Sequence, residues 1–338
     1  MTDEVILQVK DLRTYFYTDA GVVKAVDGLT FDLHKGETLG LVGESGSGKS
    51  VTNLSVIKLI QTPPGKIEGG EVLFNGEDLL KMSDARLREI RGDRIAMIFQ
   101  DPMSSLNPYL RISTQMIETI CLHQGLNKKA AKEKAIEMLK LTGIPAAEKR
   151  IDGYPHQFSG GMRQRVMIAM GLSCNPDILI ADEPTSALDV TIQAQILDLM
   201  QDLTHRLGTA VILITHSLGV VAGVCDTIVV MYAGRIVERG TTEDIFYDTK
   251  HPYTQGLIKS VPRLDRDDEG RLFSIEGQPP NVVDLPDCCP FYPRCHKALP
   301  VCKNRYPPVV RFSDTHCAAC WLYAQKDGGT FTAEDTTK

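Results

Sequence analysis

Residues 37–60 read ETLGLVGESGSGKSVTNLSVIKLI, and the fold turns on how this stretch is parsed. A short apolar run, Leu39–Val42, leads into a glycine-rich loop, and the loop into a segment with helical apolar spacing. Gly43, Glu44, Ser45, Gly46, Ser47, Gly48, Lys49 and Ser50 fit the pattern G-x-x-x-x-G-K-[ST], in the strand-loop-helix setting that the pattern requires. Glycines let backbone amides turn inward around phosphate oxygens, and the start of the following helix adds the positive end of its dipole. Lys49 is then placed to reach the β- and γ-phosphates, and the Ser50 hydroxyl to coordinate Mg²⁺. The bland alternative is a glycine turn that only joins strand to helix; such a match arises by chance in roughly one to a few chains per hundred of this length, and the strand-loop-helix context makes it rarer still.

Working outward, the chain alternates short apolar strands with helical segments. From Val5 to about Phe31, β-branched and aromatic residues alternate with polar ones around TDAG, which predicts strands joined by a turn. RIAMIFQ and TAVILITHS read as buried strands, Ile112 to about Thr142 as helices, and PDILIADEPTSALD as a strand leading into a helix from Ile192 to Leu207. This alternation predicts an α/β fold with a parallel sheet covered on both faces. After about Tyr247 the texture becomes charged, then rich in proline and turn residues, and predicts a small appended domain of loops and short strands.

The 338 residues carry 43% apolar side chains, enough to fill a sizeable core. A net charge of −6 gives no global basic footprint for nucleic acid. No window approaches the roughly 18 uninterrupted apolar residues of a membrane helix, and the amino terminus has no signal-peptide pattern, so a cytoplasmic location is expected. Thiols are kept reduced there, which turns the nine cysteines toward metal, redox or packing roles and away from disulfides.

Hydrolysis of a bound nucleotide needs a carboxylate element, and ILIADEPTSALD supplies one. Asp182 at the strand end suits Mg²⁺, and Glu183 beside it suits a general base that polarises the attacking water. Strands ending in acids are common, and a lone histidine after a strand, as His216 in VILITHS, is more often structural. Their weight comes from their order behind the phosphate loop.

With FSGGMRQR at residues 158–165, the arrangement resembles the ATP-binding subunits of ABC transporters. The resemblance implies a P-loop nucleotide-binding domain, a RecA-like core with a helical subdomain, over 1–247, the helical part spanning about 101–170. It implies that Ser159, Gly160 and Gly161 bind the γ-phosphate of ATP held by a partner subunit, and that Gln100 contacts Mg²⁺ or water. It also implies a D-loop at Ser186 to Asp189, His216 as the switch histidine, and Phe16 as the aromatic on adenine, flanked by Tyr15 and Tyr17. Ser50, Gln100 and Asp182 are its Mg²⁺ ligands. The signature commonly reads LSGGQ; here Phe158 and Met162 replace the outer residues, and the phosphate-contacting part is intact.

RGDRIAMIFQDPMSSLNP, HPYTQGLIKSVP, IEGQPPN and CPFYPRC make the chain similar to the dipeptide and oligopeptide importers in particular. That resemblance implies an ATPase at the cytoplasmic face of the membrane that powers peptide import. Its expected partners are a second ATPase subunit, different or identical, two membrane permeases and, indirectly, an extracytoplasmic binding protein. Importers of nickel or oligosaccharide belong to the same family. ABC-type ATPases of DNA repair carry long coiled coils between phosphate loop and signature, and residues 50–159 show no sustained heptads.

The importer resemblance further implies a C-terminal Cys-rich domain at 248–325 with a disordered tail from 326. In members with this tail Cys289, Cys295, Cys302 and Cys320 are taken as ligands of a 4Fe-4S cluster. Four thiolates suit such a cluster or a structural zinc, and the spacing matches neither ferredoxin nor zinc-ribbon patterns. Packing as small buried hydrophobes is the third reading. Cys288 and Cys317 lie near enough in sequence to substitute for a ligand, while Cys121, Cys174 and Cys225 read as core.

Overall fold

The computed structural model describes residues 4–101, 105–186, 188–261, 274–326 and 329–330. Part of the DPMSS loop, the charged LDRDDEGR stretch and most of the expected tail lie outside these residues. The chain divides into two compact units, Met1–Leu7 with Leu33–Thr38 and Phe74–Ile214, and Gln8–Asp32 with Leu39–Leu73 and Thr215–Lys338.

In the first unit the strands Ile95–Ile98, Ile178–Asp182 and Ala210–Thr215 run parallel, with Ile95 opposite Ile178 and Asp182 opposite Ile214. Ile178, Leu179, Ile180 and Ala181 are 0% exposed, so this strand is covered on both faces, as its uninterrupted apolar run requires. The expected helices over 112–142 are Ile112–Gln124 and Lys128–Leu141. They break at Gly125, which takes a left-handed C-cap, and restart at Asn127, whose side chain accepts from the amides of Lys129 and Ala130. The helix Gly160–Leu172 starts at the signature serine. The helix Val190–Leu207 begins two residues earlier than the apolar pattern suggests, because Asp189 caps it by accepting from the Ile192 amide.

In the second unit the strands Val5–Thr18 and Gly21–His34 form the expected amino-terminal pair, apart from their outer ends. The strand Thr38–Val42 pairs in parallel with Thr227–Tyr232, Leu41 opposite Val229. The parallel pattern of the sheet ends here. Thr227–Tyr232 is followed by an antiparallel partner, Arg235–Thr241, through a two-residue hairpin. Ala233 and Gly234 both take positive φ, 47° and 81°, the combination that matches the twist of a tight hairpin.

The cysteine-rich segment joins this sheet. Its strand Cys317–Ala319 adds to the edge of this sheet, Glu238 opposite Ala318, and Val309–Arg311 adds to that in turn. The physical reason is that Glu238, fully buried on the Arg235–Thr241 strand, needs partners. It accepts from the amides of Lys250 and His251 and bonds His316 Nε2 at 3.0 Å. Arg235 completes the join, with a two-nitrogen grip on Asp27 and its guanidinium 4.0 Å over the Tyr306 ring.

Ile180→Ala leaves a void in a strand that cannot collapse around it. Urea unfolding should show a loss of about 2–5 kcal/mol; a loss below about 1 kcal/mol would mean that the strand is not the packed centre of its unit.

Candidate functional site

The phosphate loop lies wholly in the second unit. Gly43, Gly46 and Gly48 have φ of 155°, 78° and 102°. At two of them the path is closed to any side chain: a Cβ on Gly48 would stand 2.1 Å from the Ala25 carbonyl oxygen, and one on Gly43 2.3 Å from that of Met231. The loop runs into the helix Lys49–Val56, whose N-cap is Gly48 and whose amino terminus no side chain caps. Lys49 is 5% exposed and donates to the carbonyls of Gly43, at 2.7 Å, and Glu44, at 2.9 Å. The lysine is therefore held across the mouth of its own loop, facing the place where an anion would lie.

Thr14 and Ser55 hydroxyls, 2.7 Å apart, tie the helix to the strand that carries Phe16. The ring of Phe16 lies against Gly65, while Tyr15 donates to Asp27 and Tyr17 to Glu68. Burial first, and then the Asp27 carboxylate, push the Tyr15 hydroxyl up to about 12. Both flanking tyrosines are thus committed to carboxylates by their hydroxyls, and Phe16 is the aromatic with no polar anchor. His216 is exposed, just beyond the strand Ala210–Thr215.

The first unit holds the carboxylates. Asp182 ends its strand 6% exposed. Glu183 takes the left-handed conformation, φ 44°, and its amide donates to Ile214. Such a backbone costs an ordinary residue roughly 1–2 kcal/mol and turns the side chain away from the strand direction. Gln100 Nε2 reaches Glu183 Oε2 at 3.0 Å. Two residues 83 apart in sequence, selected independently, are thereby brought together. Ser159 is the N-cap of its helix, its hydroxyl accepting from Met162, with Gly160 exposed and Gly161 half-buried beside it. Phe158, the departure at the front of the signature, is 3% exposed and serves as core. Of the D-loop, Ala187 lies outside the described residues.

Cys289 lies within electrostatic reach of Cys295, Cys302 and Cys320, and its amide donates to the Cys302 carbonyl. Cys317 instead neighbours Arg239, Arg311 and Glu238, which separates it from the set. Among the described residues, however, no group of three or more His, Cys, Asp or Glu side chains is arranged to hold a metal ion. The expectation of a ready-made ligand cage is therefore not met. Burial pushes the Cys289 thiol up to about 12 and the Cys320 thiol up to about 11, and the neighbouring thiols add to the rise.

Phosphate loop, capped SGG helix, and a strand ending in Asp182 with Gln100 on Glu183 form the parts of one ATPase type, and comparison with known proteins agrees. A family model described as ABC transporter matches residues 26–186, and one described as oligopeptide/dipeptide transporter, C-terminal region, matches 237–302. The oligopeptide transport ATP-binding protein OppD of Bacillus subtilis is 52% identical over 94% of this chain and 88% of its own. The dipeptide transport ATP-binding protein DppD of the same organism is 51% identical over 96% of each chain. The chain belongs to the ABC transporter ATP-binding family.

As an ABC ATPase it also matches solved cassettes. The dimeric post-hydrolysis cassette MJ0796, bound to ADP and Pi, is 27% identical with a TM-score of 0.63, over 70% of this chain and 98% of that one. Among the described residues no helix of this ABC ATPase is long and apolar enough to cross a membrane. Sequence reasoning missed three residues at its phosphate loop: Tyr232, Tyr253 and Arg294. The last two sit in HPYTQGL and CPFYPRC, which were legible as family marks but not as parts of the site.

Because the Cys289 thiol is raised, its nucleophilic thiolate is scarce at neutral pH. In chelator-treated protein, iodoacetamide labelling of Cys289 followed by mass spectrometry should be slow at pH 8 and quicken about tenfold per pH unit to pH 10. Rapid labelling at pH 8 would show an exposed, ordinary thiol.

Proposed function

We propose that this ABC ATPase is the energy-coupling subunit of a peptide importer, working with a second ATPase subunit beneath two membrane permeases at the cytoplasmic face. The observation that carries the catalytic part is Gln100 on Glu183, one residue beyond Asp182. The peptide assignment is supported by the relatives' names and by the matched C-terminal region. In this reading 1–247 is the nucleotide-binding domain and 248–325 the importer-specific region.

Phe16 stacks on adenine, the amides of the Gly43–Ser50 loop other than that of Glu44 cradle the phosphates, and Lys49 leaves its carbonyl partners for the β- and γ-oxygens. Ser159, Gly160 and Gly161 offer their helix start to ATP on the partner's loop, and His216 contacts the γ-phosphate. Glu183 takes a proton from the water that attacks the γ-phosphorus; the bond to the β-γ bridging oxygen breaks, and ADP and phosphate leave. Mg²⁺ prefers oxygen donors, and Ser50, Asp182 and Gln100 each carry one, as hydroxyl, carboxylate and amide oxygen. Mg²⁺ would neutralise charge on the β- and γ-oxygens. ATP closes the pair of subunits and drives the permeases, and hydrolysis resets them. In the complete complex, Glu183→Gln should lower ATP turnover by about 10²-fold or more while ATP still binds; unchanged turnover would remove Glu183 from the chemistry.

For the thiols, the reading is a 4Fe-4S cluster held by Cys289, Cys295, Cys302 and Cys320. It rests on the resemblance to importers with this tail and on Cys289 lying near Cys295, Cys302 and Cys320; a single zinc would need sulfurs within about 4 Å of one another around one ion. Three buried thiols and the half-buried Cys295, whose charges would oppose one another as thiolates, are an arrangement that bridging cations would stabilise. Such a cluster would supply a staple for a region built of tight turns. Protein purified without oxygen should carry about four irons and four sulfides per chain, lost in Cys302→Ser. Iron-free protein would return the cysteines to packing.

A further inference from the structure

The phosphate loop is gripped by the importer-specific region at one residue, Glu44. Its backbone amide donates to the hydroxyl of Tyr253, which is fully buried, at 2.8 Å. Its carboxylate receives both terminal nitrogens of Arg294, at 2.6 and 3.0 Å. Arg294 is 6% exposed in its side chain, and all five of its N–H donors have an acceptor. Besides the two on Glu44, these are Tyr232 Oη, the Ile275 carbonyl and the Glu276 carbonyl. Phe291 packs against both Tyr232 and Tyr253 beneath this fork. Pro279, Pro280 and Val282 face Glu44–Ser47 across a cavity of about 110 Å³.

This grip bears on nucleotide binding for two reasons. Glu44 O is one of the two carbonyls that hold Lys49, so the position of Glu44 sets where the lysine stands. A carboxylate in a phosphate loop also opposes the triphosphate unless its charge is matched, and the two-nitrogen pair matches it at short range. The geometry points to Arg294 as a positioning residue of the nucleotide site, supplied by the C-terminal region, that fixes the phosphate loop and cancels the charge of Glu44. Arg294 ends the turn Tyr292–Arg294 and directly precedes Cys295, so whatever holds the thiol set also holds this turn. The inference rests on the phosphate loop being the ATP site, and it stands whether or not the thiols carry a cluster.

The test is equilibrium binding of a fluorescent ATP analogue to the full chain, wild type first. If the wild type does not bind, the nucleotide-site reading fails together with the inference. If it binds, Arg294→Gln should weaken affinity about tenfold by leaving Glu44 charged and unpaired. Glu44→Gln, which leaves a net positive charge, should tighten it. The double variant, with no net charge at the pair, should return most of the affinity. A purely structural role for the pair predicts a loss in all three variants, in parallel with lowered melting temperature. Unchanged affinity in Arg294→Gln, or a double variant no better than that single one, overturns the inference. Should Arg294→Gln fail to fold, Glu44→Gln decides alone: tighter binding supports the role, and unchanged or weaker binding overturns it.

Discussion

The nucleotide site depends on a backbone that must stay open around an anion before the anion arrives. Amides pointing into one small space repel one another, and a lysine beside them adds to the repulsion. The chain meets this with glycines in conformations closed to other residues and with carbonyls that hold the lysine. On the proposed reading, the contact of Lys49 with the Gly43 and Glu44 carbonyls is a provisional one that phosphate oxygens replace at little cost in geometry. The loop itself does not have to refold to accept a ligand.

Rigidity of this kind has to come from outside the loop. Ala25 and Met231 close on it from below, and the Gly234 amide donates to Ser47. The importer-specific region adds Tyr253 and Arg294. That region is itself short of core, and it is anchored by buried polar groups rather than by apolar area alone. Glu238 with His316 is the buried example, and Arg235 between Asp27 and Tyr306 a half-buried one. Buried polar groups tolerate few alternative arrangements, which suits a segment made of turns.

The carboxylate half uses strain. Glu183 departs from its strand in a left-handed conformation while its amide stays bonded to Ile214. The strand beneath is fully buried and its register fixed, so the surrounding structure can impose an unfavourable backbone on one residue. The result is that neighbouring acids serve different purposes: Asp182 stays 6% exposed at the strand end, and Glu183 meets Gln100.

Most of the ATPase fold was legible from local chemistry. Glycine spacing, a helix-capping serine and apolar strand runs each act over a few residues, so their patterns survive in one dimension. The hairpin at Ala233–Gly234 was harder, because alanine rarely takes positive φ and carries no turn signal. The attachment of the cysteine-rich segment to a sheet edge depends on Glu238 and His316, whose pairing spans 78 positions. Arg294 and Glu44 are 250 positions apart, and nothing in either neighbourhood announces the other. The sequence by itself determined the residue types that can cradle phosphate, cap the SGG helix and end a buried strand in acids, because those properties are intrinsic to short segments. Only the tertiary structure decided which charges cancel and which thiols meet, because electrostatic pairing depends on distance in space and not on separation along the chain.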